Sequence, residues 1–403
     1  MPVPDTTEIE TAAADGRPLR LRFSATEHAD RLAHTRKILV ARGLDALLVF
    51  AQESHYWLTG FDTSGYVFFQ VGVITADARR TVLLTRRPDL AQARDASLYD
   101  DIRIWLNAED ANPAADLRDI LIELGLHGSR VGIEYATYGL TAANHRAVEA
   151  SLAGVVTLAD ASDIVRTLRL VKSPAELAYV REAARLADTA IEAMVDATAP
   201  GQLDSVVTAA GVAAMLAAGG DMPAGGPLVN SGPRAIYGRG IGGARRLEAN
   251  DQMVIELGAS RYRYHVCTEE TIAIGTPRPR QRELFALATE AMAQVLDHAR
   301  PGRALGELDD IHRRVLDRAG LSRERFAACG YALGCTFRPT WMDVPPMIYS
   351  GNPLIMTPGM VFFVHIMVPD SISGVAAGLG RTFIITEGAA ENLSAIPPQL
   401  HLR

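Results

Sequence analysis

The sequence predicts a two-domain α+β protein: an α/β domain followed by a larger domain of helices packed on a mixed or antiparallel sheet. Three observations predict it. At 403 residues the chain exceeds one ordinary hydrophobic core. Helical and strand periodicities alternate through its first part, then long amphipathic helices alternate with apolar strands. Between the two parts stands Ser173-Pro174-Ala175-Glu176, a capping box with proline at the first helical position.

The elements follow in order. Residues 1–22 form an acidic, polar N-terminal arm. The first domain spans 23–165. It opens with an amphipathic helix, TEHADRLAHTRKILVARGL, whose Leu32, Ile38 and Leu39 share a face and whose stop is Gly43. A buried strand DALLVFA follows, then HYWLTGF as a short helix or loop. The runs YVFFQVGVIT and RRTVLLT read as strands. A helix over 113–125, the strand VGIEY and a further helix complete the unit. The second domain spans 166–403, with helices expected over 204–218, 279–299 and 306–319 and strands over 252–257, 263–274, 360–367 and 381–386.

Composition narrows the partners. A net charge of −7 gives no electrostatic reason to expect nucleic acid or an anionic membrane. No run of 18 apolar residues suggests a membrane span, and MPVPDTTEIETAAADG lacks the pattern of a signal peptide. Three cysteines, Cys267, Cys329 and Cys335, make no disulfide framework. The expectation is a cytoplasmic protein.

The segment MVIELGASRYRYHVCTEETIAIG, residues 253–275, is a hairpin with Glu256 and Cys267 eleven residues apart. Together with KILVARGLDALLVF…YWLTGF, LRLVKSPAELAYVREAARLAD, GGPLVNSG, CGYALG, TPGMVFFVHI and GRTFIITEGAAENL, in that order, it resembles the creatinase/prolidase (M24) family over roughly residues 25–398. The resemblance implies a creatinase-like N-terminal α/β domain and a pita-bread catalytic domain, in which helices back a curved antiparallel sheet. It also implies that Phe61 and Tyr66 lie where one relative's N-terminal domain closes the neighbouring subunit's pocket, and hence a homodimer with shared sites.

Peptidases of that family hold two divalent cations with two aspartates, a histidine and two glutamates. Matched segment by segment, those positions are Glu256, Cys267, Leu333, His365 and Gly380 in this chain. Leucine and glycine side chains carry no lone pairs, so no cage of hard oxygen ligands is expected. No metal and no cofactor are therefore expected. The chain is more similar to the family's metal-free branch, creatinase and the ectoine hydrolases, which cleave C–N bonds in small amidine or guanidine compounds.

The period of two along the strand places His265, Cys267 and Glu269 on one face and Tyr264, Val266 and Thr268 on the other. Because the family's second aspartate position faces the pocket, His265 and Glu269 are expected to line it with Glu256, and His365 to enter from a third strand. The candidate catalytic residues are thus Glu256, His365, Glu269 and His265. Glu256 sits in an apolar run where an unpaired charge is costly; its bland alternative is an ion pair with Arg245, Arg246, Arg261 or Arg263. Glu269 matches a glutamate with which metal-free creatinase grips its substrate, and Glu270 beside it is expected to face solvent. The histidines are proton carriers or hydrogen-bonded core residues.

The candidate substrate-binding residues are Tyr264, Cys267, Tyr237, Arg239, Arg338, Trp341, Phe61 and Tyr66. Cys267 reads more readily as a packed thiol than as a nucleophile. Tyr237 and Arg239 stand where relatives carry a catalytic histidine, and Arg239 suits a substrate carboxylate. Arg338, Trp341 and Asp343 lie in a proline-rich loop long enough to form a lid. The expected function is a metal-independent hydrolase of a C–N bond in a small nitrogen compound. A lyase, isomerase or cyclase, a binding module, a metallopeptidase, and a zinc site of His265, Cys267, Glu256 and His365 stay open as alternatives.

Overall fold

The computed structural model describes residues 9–12 and 18–403. They divide into two compact units between Arg169 and Leu170. Part of the N-terminal arm lies outside the described residues. The rest forms a ribbon of β1 (Ile9–Ala12) and β2 (Pro18–Leu21).

The N-terminal unit contains α1 (Ala25–Ala41), β3 (Ala46–Val49), α2 (Gln52–Thr59), β4 (Val71–Thr75), β5 (Thr81–Arg86) and α3 (Leu90–Asp95). It continues with β6 (Asp101–Trp105), α4 (Pro113–Glu123), β7 (Arg130–Ile133), α5 (Ala142–Leu152) and β8 (Thr157–Asp160), and α6 (Ile164–Leu170) leads out of it. Its sheet runs β6-β5-β4-β3-β7-β8, parallel at β5–β6, β3–β7 and β7–β8 and antiparallel elsewhere. Glu134, at the end of β7, is buried and accepts hydrogen bonds from the Phe50 and Ala51 amides (3.0 and 2.8 Å) and from Ser54 Oγ (2.6 Å). Those bonds tie the β3–α2 junction to β7. Burial still outweighs them and pushes the carboxyl up to about 7.

The second unit opens with α7 (Pro174–Ala197), capped as its sequence predicts. Ser173 Oγ accepts the Glu176 amide at 3.2 Å, and Glu176 Oε2 accepts the Ser173 amide at 2.8 Å. Then come α8 (Asp204–Ala217), β9 (Leu228–Ser231), β10 (Asp251–Arg261), β11 (Tyr264–Ile274), α9 (Pro279–His298) and α10 (Gly306–Arg318). β12 (Ala328–Ala332), β13 (Met347–Tyr349), β14 (Val361–Asp370), β15 (Val375–Ile384), β16 (Glu391–Asn392) and β17 (His401–Leu402) complete it. The sheet runs β13-β12-β14-β15-β11-β10-β9, antiparallel throughout that path, with β16 on β15 and β17 parallel to β11. Helix α7 covers β10 and β11, and α9 covers β14 and β15. The apolar core between the α9–α10 pair and the sheet includes Leu284, Met292, Phe362 and Phe383.

The β15 strand begins at Val375, earlier than the sequence suggests. VAAGLG carries little β-propensity, and pairing with β14 along ten positions overrides it. The β10–β11 hairpin turns on Tyr262 and Arg263 at φ of 47° and 70°, a left-handed pair that glycine or asparagine ordinarily supplies. Here the Arg261 guanidinium covers the Tyr262 ring at 4.2 Å, and Tyr179 of α7 meets it edge-on at 4.9 Å, which offsets the backbone cost.

Candidate active site

The face of the sheet away from α7 and α9 lines a cavity of about 1020 Å³. Its base is a single cross-strand row. Glu256 on β10 lies opposite Glu269 on β11, Glu269 opposite Gly380 on β15, and Gly380 opposite His365 on β14. Directly opposed residues of an antiparallel sheet point to the same face, so the register alone gathers both carboxylates and the imidazole. All three side chains line the cavity.

Burial raises the proton affinity of both carboxyls, and the Glu256 charge raises that of Glu269 further. Burial pushes Glu256 up to about 7, opposed by a hydrogen bond from Tyr331 and by the Arg239 charge. Glu269 is held well above the usual carboxylate range by burial first, then by Glu256 and Glu270, with Arg381 opposing. Glu269 Oε2 is buried with no hydrogen-bond partner among the described residues. His365 lies on the Phe363 ring (5.7 Å between centroids, 19° between planes), with Tyr331 and Phe326 at 5.9 and 6.0 Å. Desolvation lowers it to about 4, helped by His312 and Arg239, so it is neutral near pH 7.

The walls are largely apolar and aromatic, with Tyr237, Phe326, Tyr331 and Trp341 among them, and Arg239 stands on the exposed loop at one side. Arg338 is exposed beside this loop set, next to Pro339, which lines the cavity.

Several expected residues go elsewhere. His265 shares the face of Glu269 but is fully buried. Its Nε2 accepts the Ala224 amide at 3.0 Å, and its Nδ1 lies 2.8 Å from the Arg263 carbonyl and 3.0 Å from Thr336 Oγ1. With both nitrogens engaged it serves the hairpin end rather than the cavity. Cys267 also shares that face, but it opposes Gly258, against which the Trp341 indole packs; burial pushes its thiol up. Tyr264 faces the helices, where its hydroxyl donates to Glu176 Oε1 at 2.6 Å.

Glu270 does not face solvent. It is fully buried, with Arg381 Nη1 at 2.6 Å from Oε1 and His401 Nε2 at 3.4 Å from Oε2. The arginines considered as partners of Glu256 are engaged otherwise: Arg245 with Asp251 and Glu248, Arg261 with Glu182, Arg246 with the Gly201 carbonyl, and Arg263 over the Phe337 ring at 4.9 Å. Phe61 and Tyr66 are buried in the N-terminal unit, Phe61 edge-on to His55 and Tyr99.

From CGYALG, the side chain that reaches the carboxylates is Tyr331, not Leu333. Leu333 is buried beyond the end of β12, whereas Tyr331 Oη donates to Glu256 Oε1 at 3.0 Å. The sequence signal was available, since Tyr331 is the one polar side chain of that segment.

Two family profiles match the chain: Creatinase/Prolidase N-terminal domain over residues 31–171, and Metallopeptidase family M24 over residues 178–387. The protein belongs to the M24 family. An uncharacterized hydrolase/peptidase of Sinorhizobium fredii is 27% identical over 390 residues, covering 94% of this chain and 98% of the relative. An ectoine hydrolase of Halomonas elongata is 25% identical over 399 residues, covering 95% and 99%. The prolidase structure from Thermococcus sibiricus superposes with a TM-score of 0.84 at 17% identity over 94% of this chain and 100% of that one, which shows the shared pita-bread fold.

The family name implies a metal centre, and the residues present do not fit a two-metal cage. A Cβ built on Gly380 would stand 2.5 Å from Phe363 Cζ and 2.6 Å from Glu269 Cβ, so no carboxylate side chain fits there. Tyr331 is committed to Glu256. The four groups of the alternative zinc site do not converge either. Among the described residues the convergent donor group is Asp309, His312 and Cys329, on the helix side. There Asp309 already accepts from the Arg313 guanidinium at 2.6 Å and the Ser350 amide at 2.9 Å.

Proposed function

We propose that this M24 hydrolase acts without a metal, cleaving a C–N bond in a small amidine, guanidine or cyclic amide compound. The observation that carries the reading is the Glu256–Glu269 pair, opposed across one strand junction at the base of an aromatic-walled cavity. Two carboxyls so close share a proton, giving a base and an acid in one place. Aromatic faces and a carboxylate together suit a planar organic cation. The similarity to the ectoine hydrolase over nearly the whole chain supports the same class of substrate.

In the proposed reaction Glu256, as carboxylate, anchors the amidinium and takes a proton from water as the oxygen adds to the central carbon. Glu269, as the acid, protonates the departing nitrogen, and the C–N bond breaks. Glu269 recovers a proton from the new hydroxyl, leaving a carbonyl, and Glu256 passes its proton to the released amine. Neutral His365 accepts a hydrogen bond from the water or the leaving group. This replaces the expectation that a histidine is the acid, because an imidazole lowered to about 4 does not carry the second proton that an acid gives near pH 7.

The test is turnover of a panel of cyclic amidines, guanidino compounds and N-acyl amino acids, with and without EDTA, beside metal analysis of the purified protein. Turnover of an amidine, guanidine or cyclic amide unaffected by EDTA is expected, and its loss in Glu256→Gln. Stoichiometric metal with EDTA-sensitive dipeptidase activity would refute the proposal. Homodimerisation is part of the same family-based reading, and sedimentation velocity tests it.

A further inference from the structure

The Trp341 indole Nε1–H donates to Tyr331 Oη at 2.9 Å, and Tyr331 Oη donates to Glu256 Oε1 at 3.0 Å. An indole nitrogen only donates, so the phenol oxygen accepts from it and keeps its own proton to give to the Glu256 carboxylate. Oε1 of Glu256 takes that bond, and Oε2 stands outside the chain.

Trp341 is itself held firmly. It is buried, its carbonyl accepts from Thr336 Oγ1 at 3.2 Å, and its ring lies against two side-chain-free positions. A Cβ on Gly225 or Gly258 would come within 2.8 or 3.0 Å of the indole. Pro339, Thr340 and Met342, its neighbours in the loop, all line the cavity. Glu269 meanwhile leaves Oε2 unpartnered among the described residues, beside this fixed carboxylate.

We infer that Trp341 and Tyr331 are positioning residues: a one-way hydrogen-bond relay that clamps one oxygen of Glu256, presents the other to the cationic group of a ligand, and transmits occupancy of the carboxylate to the 338–342 loop. The ligand class rests on the proposed function; the relay does not. A purely structural Trp341, packed on Gly258, would be indifferent to the charge of Glu256.

The experiment uses the full chain with ¹⁵N-labelled tryptophan, which gives three indole signals, one per tryptophan. Trp341→Phe assigns the relevant one. Glu256→Gln and Tyr331→Phe are each expected to move the Trp341 signal while those of Trp57 and Trp105 stay in place. Benzamidine, as the amidinium probe, is expected to move the same signal in the wild type and to bind about tenfold more weakly to Tyr331→Phe, as loss of a hydrogen bond to a charged group predicts. A Trp341 signal identical in wild type and Glu256→Gln overturns the relay, and does so even if Tyr331→Phe fails to fold. A signal that follows Glu256→Gln but ignores benzamidine upholds the relay and refutes the amidinium reading.

Discussion

Gly380→Ala adds one methyl group at the centre of the cross-strand row, and its cost can be worked from the contacts. The new carbon would sit 2.5 Å from Phe363 Cζ and 2.6 Å from Glu269 Cβ. Carbon atoms pack best about 3.5–4.0 Å apart, so each contact is short by about 1 Å. Neither neighbour is the free end of a flexible chain. Phe363 is fully buried and stacked on His365, and Glu269 Cβ is fixed by the strand opposite. Overpacking of this kind costs about 1–3 kcal/mol, and two rigid neighbours place it in the upper half of that range. For a unit of this size that lowers the unfolding midpoint by roughly 4–12 °C. The assay is thermal unfolding followed by circular dichroism, paired with turnover. Phe363 can yield only by carrying His365 with it, so turnover of the substrate class above should fall more than stability does. An unchanged midpoint with full activity would refute the claim that the space at Gly380 is filled.

Three further outcomes follow from the same reasoning. Glu256 has a folded pKa raised to about 7 from 4.5, so the fold binds its proton more tightly than the unfolded chain does. Its share of stability is present below about pH 4.5 and is lost as pH rises towards 7; Glu256→Gln should therefore flatten the urea midpoint over that window and raise it at pH 8. Glu134→Gln keeps an acceptor for the Phe50 and Ala51 amides and should be tolerated. Glu134→Ala orphans both and should cost about 3 kcal/mol in urea unfolding. Arg381→Met leaves Glu270 buried without its 2.6 Å partner and should cost about 3–5 kcal/mol, measured the same way.

The fold was largely legible because the strongest signals were local ones. The Ser173–Glu176 box, the helical periodicities and the apolar strands each name their own element. Alternation along β11 also put Glu269 on the same face as Cys267. What alternation does not tell is how far along a shared face a cavity extends. His265 and Cys267 obey the parity and are still closed off, one by backbone partners and one behind the Trp341 loop. Register and inter-strand order are set by tertiary pairing, so the meeting of Tyr331 with Glu256, 75 residues away, has no local signature. Nor does the burial of Glu270, whose neutralising partner lies 111 residues downstream.

The cross-strand row also acts as a ruler. Neighbouring strands stand about 4.8 Å apart, so Glu256 and Glu269 are separated at the backbone by one step and Glu269 and His365 by two, about 10 Å. These spacings belong to the hydrogen-bonded ladder and not to side-chain choice, so substitutions in the surrounding loops can change what enters the cavity without changing them. A ligand that touches both carboxyls and the imidazole must match that scale. Under the proposed function, specificity is then free to drift through the loops, while the spacing of the two carboxyls and the imidazole is inherited with the sheet.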